Sequence, residues 1–285
     1  EKLSQLYVQE GELEKEHYCR ALRLPNRTHP FVCLVKYFAN ALMCSTRCIV
    51  IYCHVSTTEF DFKPKGHLQI EERLDIIRQR RLAHVSGHRS YYLRGEGASL
   101  QFALQNYIMD LLQKRVSLER HECGKLMTYI HSAPTDCPLF DLPGYFMDHA
   151  VNLKDLLVRT IWSSTCYRAE TDTGREAWGL YRVHHSPEFT KNKKNVKEKY
   201  KSCVVILCLF LDMPTQELGP PAFRKYDIEA WMPGRGSFGE ISSASNCTDY
   251  QSRHLNILYE GNDGNLEYAH TVNATACAVP RTVIS

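Results

Sequence analysis

Two polar stretches near the C-terminus constrain the fold most. The first runs from Glu240 to Arg253 and the second from His270 to Arg281. Both are too polar for bare core strands. They are also too rich in Ser, Asn and Thr for interior helices, where those side chains compete for backbone hydrogen bonds. Such a composition suits a surface that fixes a small polar ligand with several placed hydrogen bonds.

The rest of the chain supplies ordinary framework signals. Its 285 residues suffice for one large domain or two small ones, and with 44% hydrophobic residues it can bury a substantial core. A formal net charge of +3 singles out no class of partner. Residues 1–22 are dense in Glu and Lys, with leucines between them, and predict a helix or coiled-coil remnant that Pro25 stops. A charged helix is predicted from Glu71 to Leu82, and a short strand between Val85 and Leu93. An amphipathic helix is predicted from Ser99 to Lys114, with apolar residues three and four apart. Leu157 to Tyr167 predicts a buried strand with a hairpin partner over Tyr181 to His185, and Val204 to Leu211 a further strand. Gly234-Arg235-Gly236 precedes the strand carrying Glu240. Asn262-Asp263-Gly264-Asn265 predicts a hairpin turn between Ile257-Leu258-Tyr259 and Leu266-Glu267-Tyr268.

Neither Phe31–Val55 nor Cys203–Met213 makes a membrane span, the first being broken by charges and the second too short. Most of the twelve cysteines are scattered. Cys44, Cys48, Cys53 and His54 cluster and could ligate zinc. They lie in an apolar run without a second paired knuckle, so reduced thiols are the expectation. The three Asn-x-Thr sequons read as chance. The run from Lys191 to Lys201 reads as a solvated loop, with an RNA-phosphate patch as the other reading.

Several runs together resemble the seryl-tRNA synthetases, their mitochondrial branch in particular. Phe62 to Leu68, Gly144 to His149 and Tyr226 to Trp231 resemble connecting segments of that family. Val85 to Lys114 resembles motif 1. Tyr167-Arg168-Ala169-Glu170 with Gly179 to His185 resembles motif 2, and the two opening stretches resemble motif 3. The resemblance implies an α+β fold: a class II aminoacyl-tRNA synthetase catalytic domain, an antiparallel sheet flanked by helices. It divides the chain into residues 1–30, the remnant of a tRNA-binding coiled-coil arm, residues 31–61, an atypical insert, and residues 62–285. The last is the catalytic domain, with atypical segments near 116–142 and 186–210, and the chain stops within the motif 3 helix.

The implied activity is ATP-dependent conversion of L-serine to seryl-adenylate and its transfer to tRNA(Ser) in the mitochondrial matrix, although no transit peptide is visible. The implied assembly is a homodimer through Val85–Lys114. By resemblance Arg168 and Arg281 are the catalytic arginines. ATP is implied to contact Arg168, Ala169, Glu170, Arg182, Val183, Glu240, Ile241, Ser242, Ser243 and Arg281. Asn273 and Thr275 would hold the serine, and Glu240 and Ser243 a magnesium ion. The residue types suit these roles. A guanidinium offers phosphate a permanent charge and a rigid fork of donors, and hard oxygens suit magnesium.

The sequence also departs from the family. Trp178 and His254 stand where arginines are common, and the Thr-x-Glu and Lys-Val-Glu segments that hold the substrate amine are replaced. These departures support an alternative, a catalytically impaired paralogue with a binding or scaffolding role, which the intact Arg168, Glu170, Glu240 and Arg281 oppose.

Overall fold

A computed structural model describes residues 2–32, 49–54, 60–79, 84–85, 89–116, 119–122, 145–167, 179–183, 185–191 and 208–285. In chain order these form α1 (Lys2–Ala21), β1 (Ile49–His54), α2 (His67–Arg73), β2 (Ile77–Arg78), β3 (Tyr92–Leu93), α3 (Glu96–Val116) and β4 (Glu119–Glu122). Then come β5 (Ala150–Asn152), β6 (Thr160–Tyr167), β7 (His185–Lys191), β8 (Cys208–Asp212), β9 (Arg224–Met232) and β10 (Ser237–Thr248). Last are α4 (Tyr250–Leu255), β11 (Leu258–Glu260), β12 (Leu266–Tyr268), β13 (Thr271–Ala278) and α5 (Val279–Ile284).

The main sheet has the order β1-β8-β9-β10-β13-β7-β6-β4. All its pairings are antiparallel except that of β4 with β6. The α+β architecture expected from the sequence is therefore present, and it follows from strand patterning. In β9, Tyr226, Ile228, Ala230 and Met232 alternate with Lys225, Asp227, Glu229 and Trp231, so one face is apolar and the other polar.

The apolar face forms two clusters. Ile228, Ala230, Met232 and Ile241 pack with Phe210 of β8 and Ile284 of α5. Ile161, Ala276 and Cys277 pack with Met109 and Leu112 of α3 and Val279 of α5. The stripe Leu104, Ile108, Met109, Leu112 thus docks α3 on the sheet. Met232 is 0% exposed, and Met232→Ala should cost about 2–4 kcal/mol in urea unfolding, as expected for a core cavity. A loss under about 1 kcal/mol would mean that the cluster collapses around the gap.

Two expectations are revised. The predicted helix from Glu71 to Leu82 ends at Arg73. Asp75 takes a left-handed φ of 53°, its carboxylate is held by Arg78 and Arg94, and Ile77 pairs with Leu93. Burying Ile77 in a strand outweighs continuing a charged helix. The hairpin partner of β6 lies at His185–Lys191, with Tyr167 opposite His185, so residues 181–183 precede it. β4 lies within, and β7 and β8 overlap, the two segments whose sequence is atypical for the family, and all three are strands of the main sheet.

The hairpin at Asn262–Asn265 is borne out by the β11–β12 pairing. The β9–β10 turn closes at Gly236, whose φ of +65° is cheap for a residue without Cβ. Among the described residues no helix is long and apolar enough to cross a membrane.

Helix α1 meets the rest of the molecule at its C-terminal end. The Tyr18 hydroxyl donates to the Arg253 carbonyl at 3.4 Å, and a His254 ring nitrogen lies 2.9 Å from the Leu22 carbonyl. Just beyond the helix, the Asn26 amide donates to the Cys247 and Pro221 carbonyls. Of the cysteine cluster, Cys44 and Cys48 lie outside the described residues, and Cys53 and His54 are placed on β1 by backbone alone. The lysine run lies outside them beyond Lys191.

Candidate active site

The polar face of β9, β10 and β13 collects Glu240, Ser243, Asn273 and Thr275 of the predicted site. Cross-strand registers place Ser243 between Asp227 and Thr275, Ser245 between Lys225 and Asn273, and Glu240 opposite Glu229. Residues paired in this way share a face, with neighbouring strands about 4.8 Å apart.

Glu240 and Ser243 are three residues apart, and in a regular strand that spacing sends side chains to opposite faces. The register of β10 against β9 shifts between Glu240 and Ser242, so Ile241 is an extra residue, a β-bulge. The bulge turns both Ile241 and Ser242 toward the apolar side and returns Ser243 to the polar side beside Glu240. Ile241 duly packs with Ile228, Ala230 and Met232, so only its backbone remains for a ligand. The Ser242 hydroxyl donates to the Thr275 carbonyl at 2.7 Å and ties β10 to β13.

Arg281, in the first turn of α5, closes one end of this face. Its Nε donates to the Tyr181 carbonyl at 3.0 Å and its Nη1 to the Glu240 carbonyl at 3.1 Å, with the Glu240 carboxylate 3.6 Å away. The Tyr181 ring lies 3.5 Å from the Arg235 guanidinium and 5.0 Å from that of Arg281, so two cations flank one aromatic ring. The next residues, Arg182 and Val183, are half-buried and buried beside it. Arg168, Ala169 and Glu170 lie outside the described residues.

β9 carries an electrostatic feature that its sequence does not single out. Lys225 donates to Asp227 Oδ2 at 2.7 Å, while Oδ1, fully buried, has no hydrogen-bond partner among the described residues. Burial, and then the charge of Glu240, push the Asp227 carboxyl up against the pull of Lys225. Burial and Glu240 likewise raise Glu229. Burial opposes the Lys225 charge, but the Glu240 and Asp227 carboxylates more than offset it and hold the ammonium above its ordinary range. The period-two alternation Lys225, Asp227, Glu229 was the signal that could have found this wall. Asn273 is 3% exposed and Thr275 partly exposed, both on the same face. The arrangement offers hydroxyl and amide groups at one end, carboxylates in the middle and guanidinium groups at the other.

Residues 186–285 match the family described as the tRNA synthetase class II core domain (G, H, P, S and T). The mitochondrial serine–tRNA ligase of Bos taurus is 47% identical over 324 residues, covering 100% of this chain and 61% of that protein. The serine–tRNA ligase of Treponema denticola is 32% identical over 323 residues, covering 100% of this chain and 75% of that protein. The chain belongs to the serine–tRNA ligase family.

The seryl-tRNA synthetase from Pyrococcus horikoshii, solved in complex with ATP, superposes on this serine–tRNA ligase family member with a TM-score of 0.85. The match has 28% sequence identity and covers 99% of this chain and 74% of that one. The class II fold expected from the motifs is thereby established. The chain spans 61% of the length of the bovine mitochondrial relative.

Proposed function

We propose that this chain is the catalytic part of a serine–tRNA ligase of mitochondrial type. It would activate L-serine with ATP to seryl-adenylate and pass the seryl group to tRNA(Ser), acting in the mitochondrial matrix. Residues 62–285 would form the catalytic domain and α1 the root of a tRNA-binding arm, joined by the atypical segment at 31–61. The observation that carries the reading is the single polar face on which Glu240, Ser243, Asn273 and Thr275 come together, closed by Arg281.

Activation requires the serine carboxylate to attack the α-phosphate of ATP and release pyrophosphate. The protein must align the two groups and offset charge as it develops. Arg168 and Arg281 would offset phosphate charge, and Glu170, Arg182 and Val183 would frame the base and triphosphate. Asn273 and Thr275 would hold the serine side chain, since a site built to bond a hydroxyl disfavours an analogue lacking it. Magnesium fits the donor set: the Glu240 carboxylate and Ser243 hydroxyl are hard oxygens on one face, and such an ion takes its other ligands from phosphate and water. When bound, it would neutralise phosphate charge.

The test is serine-dependent ATP–pyrophosphate exchange by the purified chain, with loss in Arg168→Ala. Absence of exchange would overturn the reading in favour of the impaired paralogue that the replaced segments suggested. Nothing in the curated relatives favours that alternative.

The proposed partner is a second copy of this chain. Helix α3 exposes Leu100, Phe102 and Tyr107 at 52%, 60% and 51%, on the flanks of the stripe that packs on the sheet. Phe102→Glu should therefore halve the mass in light scattering, since a buried unpaired charge opposes association. An unchanged dimer would move the interface elsewhere.

A further inference from the structure

Deepening the ATP-dependent reading above, and resting on it, we propose that Gln79 and His67 are positioning residues for ATP. They clamp the segment that holds Arg281 in place.

The clamp is built from groups 100 or more residues apart in sequence. Gln79, just after β2, is 6% exposed. Its Nε2 donates to the Gly179 carbonyl at 3.0 Å, and its Oε1 accepts the Gly179 N–H at 2.8 Å. One carboxamide thereby satisfies both backbone groups of one residue, as a sheet ladder would. Gly179 has a φ of +96°, and a Cβ there would lie 2.2 Å from His67 Nε2, so His67 packs directly on it. His67 Nε2 also accepts the N–H of Leu180 at 3.2 Å. That bond needs a lone pair on Nε2, hence a neutral ring with its proton on Nδ1. Burial, and then the nearby Arg235 charge, lower the His67 pKa and favour this form.

The residue after these two is Tyr181, whose carbonyl receives Arg281 and whose ring lies beside Arg235 and Arg281. Residues 179, 180 and 181 are thus fixed in succession by Gln79, His67 and Arg281. The first two attachments come from outside the sheet, and the third is a residue assigned to ATP. Loosening the first two lets the Tyr181 carbonyl drift, and with it the guanidinium that also bonds Glu240.

Calorimetric ATP titrations on the full chain, paired with serine and ATP KM values from exchange, test this. Gln79→Met and His67→Phe should weaken ATP binding about tenfold, the first having lost two buried hydrogen bonds and the second one partly buried bond, with the serine KM within about twofold. His67→Gln, whose amide oxygen can still accept from Leu180, should recover most of the affinity. Because the clamp acts through Arg281, adding Gln79→Met to Arg281→Ala should weaken ATP binding no further, a departure from additivity that a general loss of stability would not give. If Gln79→Met does not fold, the His67→Phe and His67→Gln pair carries the comparison alone.

Unchanged ATP affinity in folded Gln79→Met or His67→Phe overturns the clamp while leaving the ligase reading intact. Equal losses for ATP and serine overturn it too, as does an additive double variant. A wild-type chain with neither ATP binding nor exchange overturns both.

Discussion

Arg281→Ala is expected to lower serine-dependent ATP–pyrophosphate exchange by about 10²–10³-fold, the usual effect of deleting one preorganised group that offsets transition-state charge. The geometry makes this residue more exacting than a surface arginine. It makes two directional bonds, to the Tyr181 and Glu240 carbonyls, while its charge lies 3.6 Å from the Glu240 carboxylate. Arg281→Lys separates these contributions. A lysine restores the charge but not the planar fork that spans both carbonyls, so it should recover only part of the rate. Melting temperatures measured alongside show whether the deficit is chemical. An Arg281→Ala protein with unchanged melting and near wild-type exchange would remove this residue from the reaction.

The second large effect concerns stability. Glu71, on α2, is 5% exposed, and its Oε2 has no hydrogen-bond partner among the described residues. Burial pushes its carboxyl from an ordinary 4.5 to about 7. The folded protein therefore keeps this proton up to about pH 7, whereas the unfolded chain releases it near pH 4.5. The contribution of Glu71 to stability is fully present below pH 4.5, falls as pH rises through that window, and is lost above about pH 7. Glu71→Gln removes the titration, so it should stabilise the fold by about 1–3 kcal/mol at pH 8 and hardly at all at pH 4.5. Urea unfolding at the two pH values measures the difference. An equal effect at both would show that burial of the charge is not its cause.

What the sequence made legible was local. The Ser, Asn and Thr content of Glu240–Arg253 and His270–Arg281 announced a polar face, and the spacing of Leu104, Ile108 and Leu112 announced the helix behind it. Contacts depending on tertiary context were not legible. Helix α2 ends early because Asp75 is caught by two arginines, one of them nineteen residues away. The Lys225–Asp227 pair was hidden because a strand with charged residues at alternate positions reads as solvent-facing, whereas here Asp227 is 2% exposed. The contacts of Gln79 and His67 with residues 179 and 180 leave no trace in either segment taken alone. The motif 2 residues Arg168 to Glu170 were legible by resemblance, while their geometry lies outside the described residues.

The extra residue at Ile241 marks a point where β10 can lose a residue without losing the site. Deleting Ile241 or Ser242 would cancel the bulge and restore plain alternation, with Glu240, Ser243 and Ser245 still on the polar side. Deleting Ala244 instead, where the pairing is regular, would turn Ser245 toward the hydrophobic layer. A relative or redesigned variant with one residue fewer would keep or lose this wall according to where the gap falls.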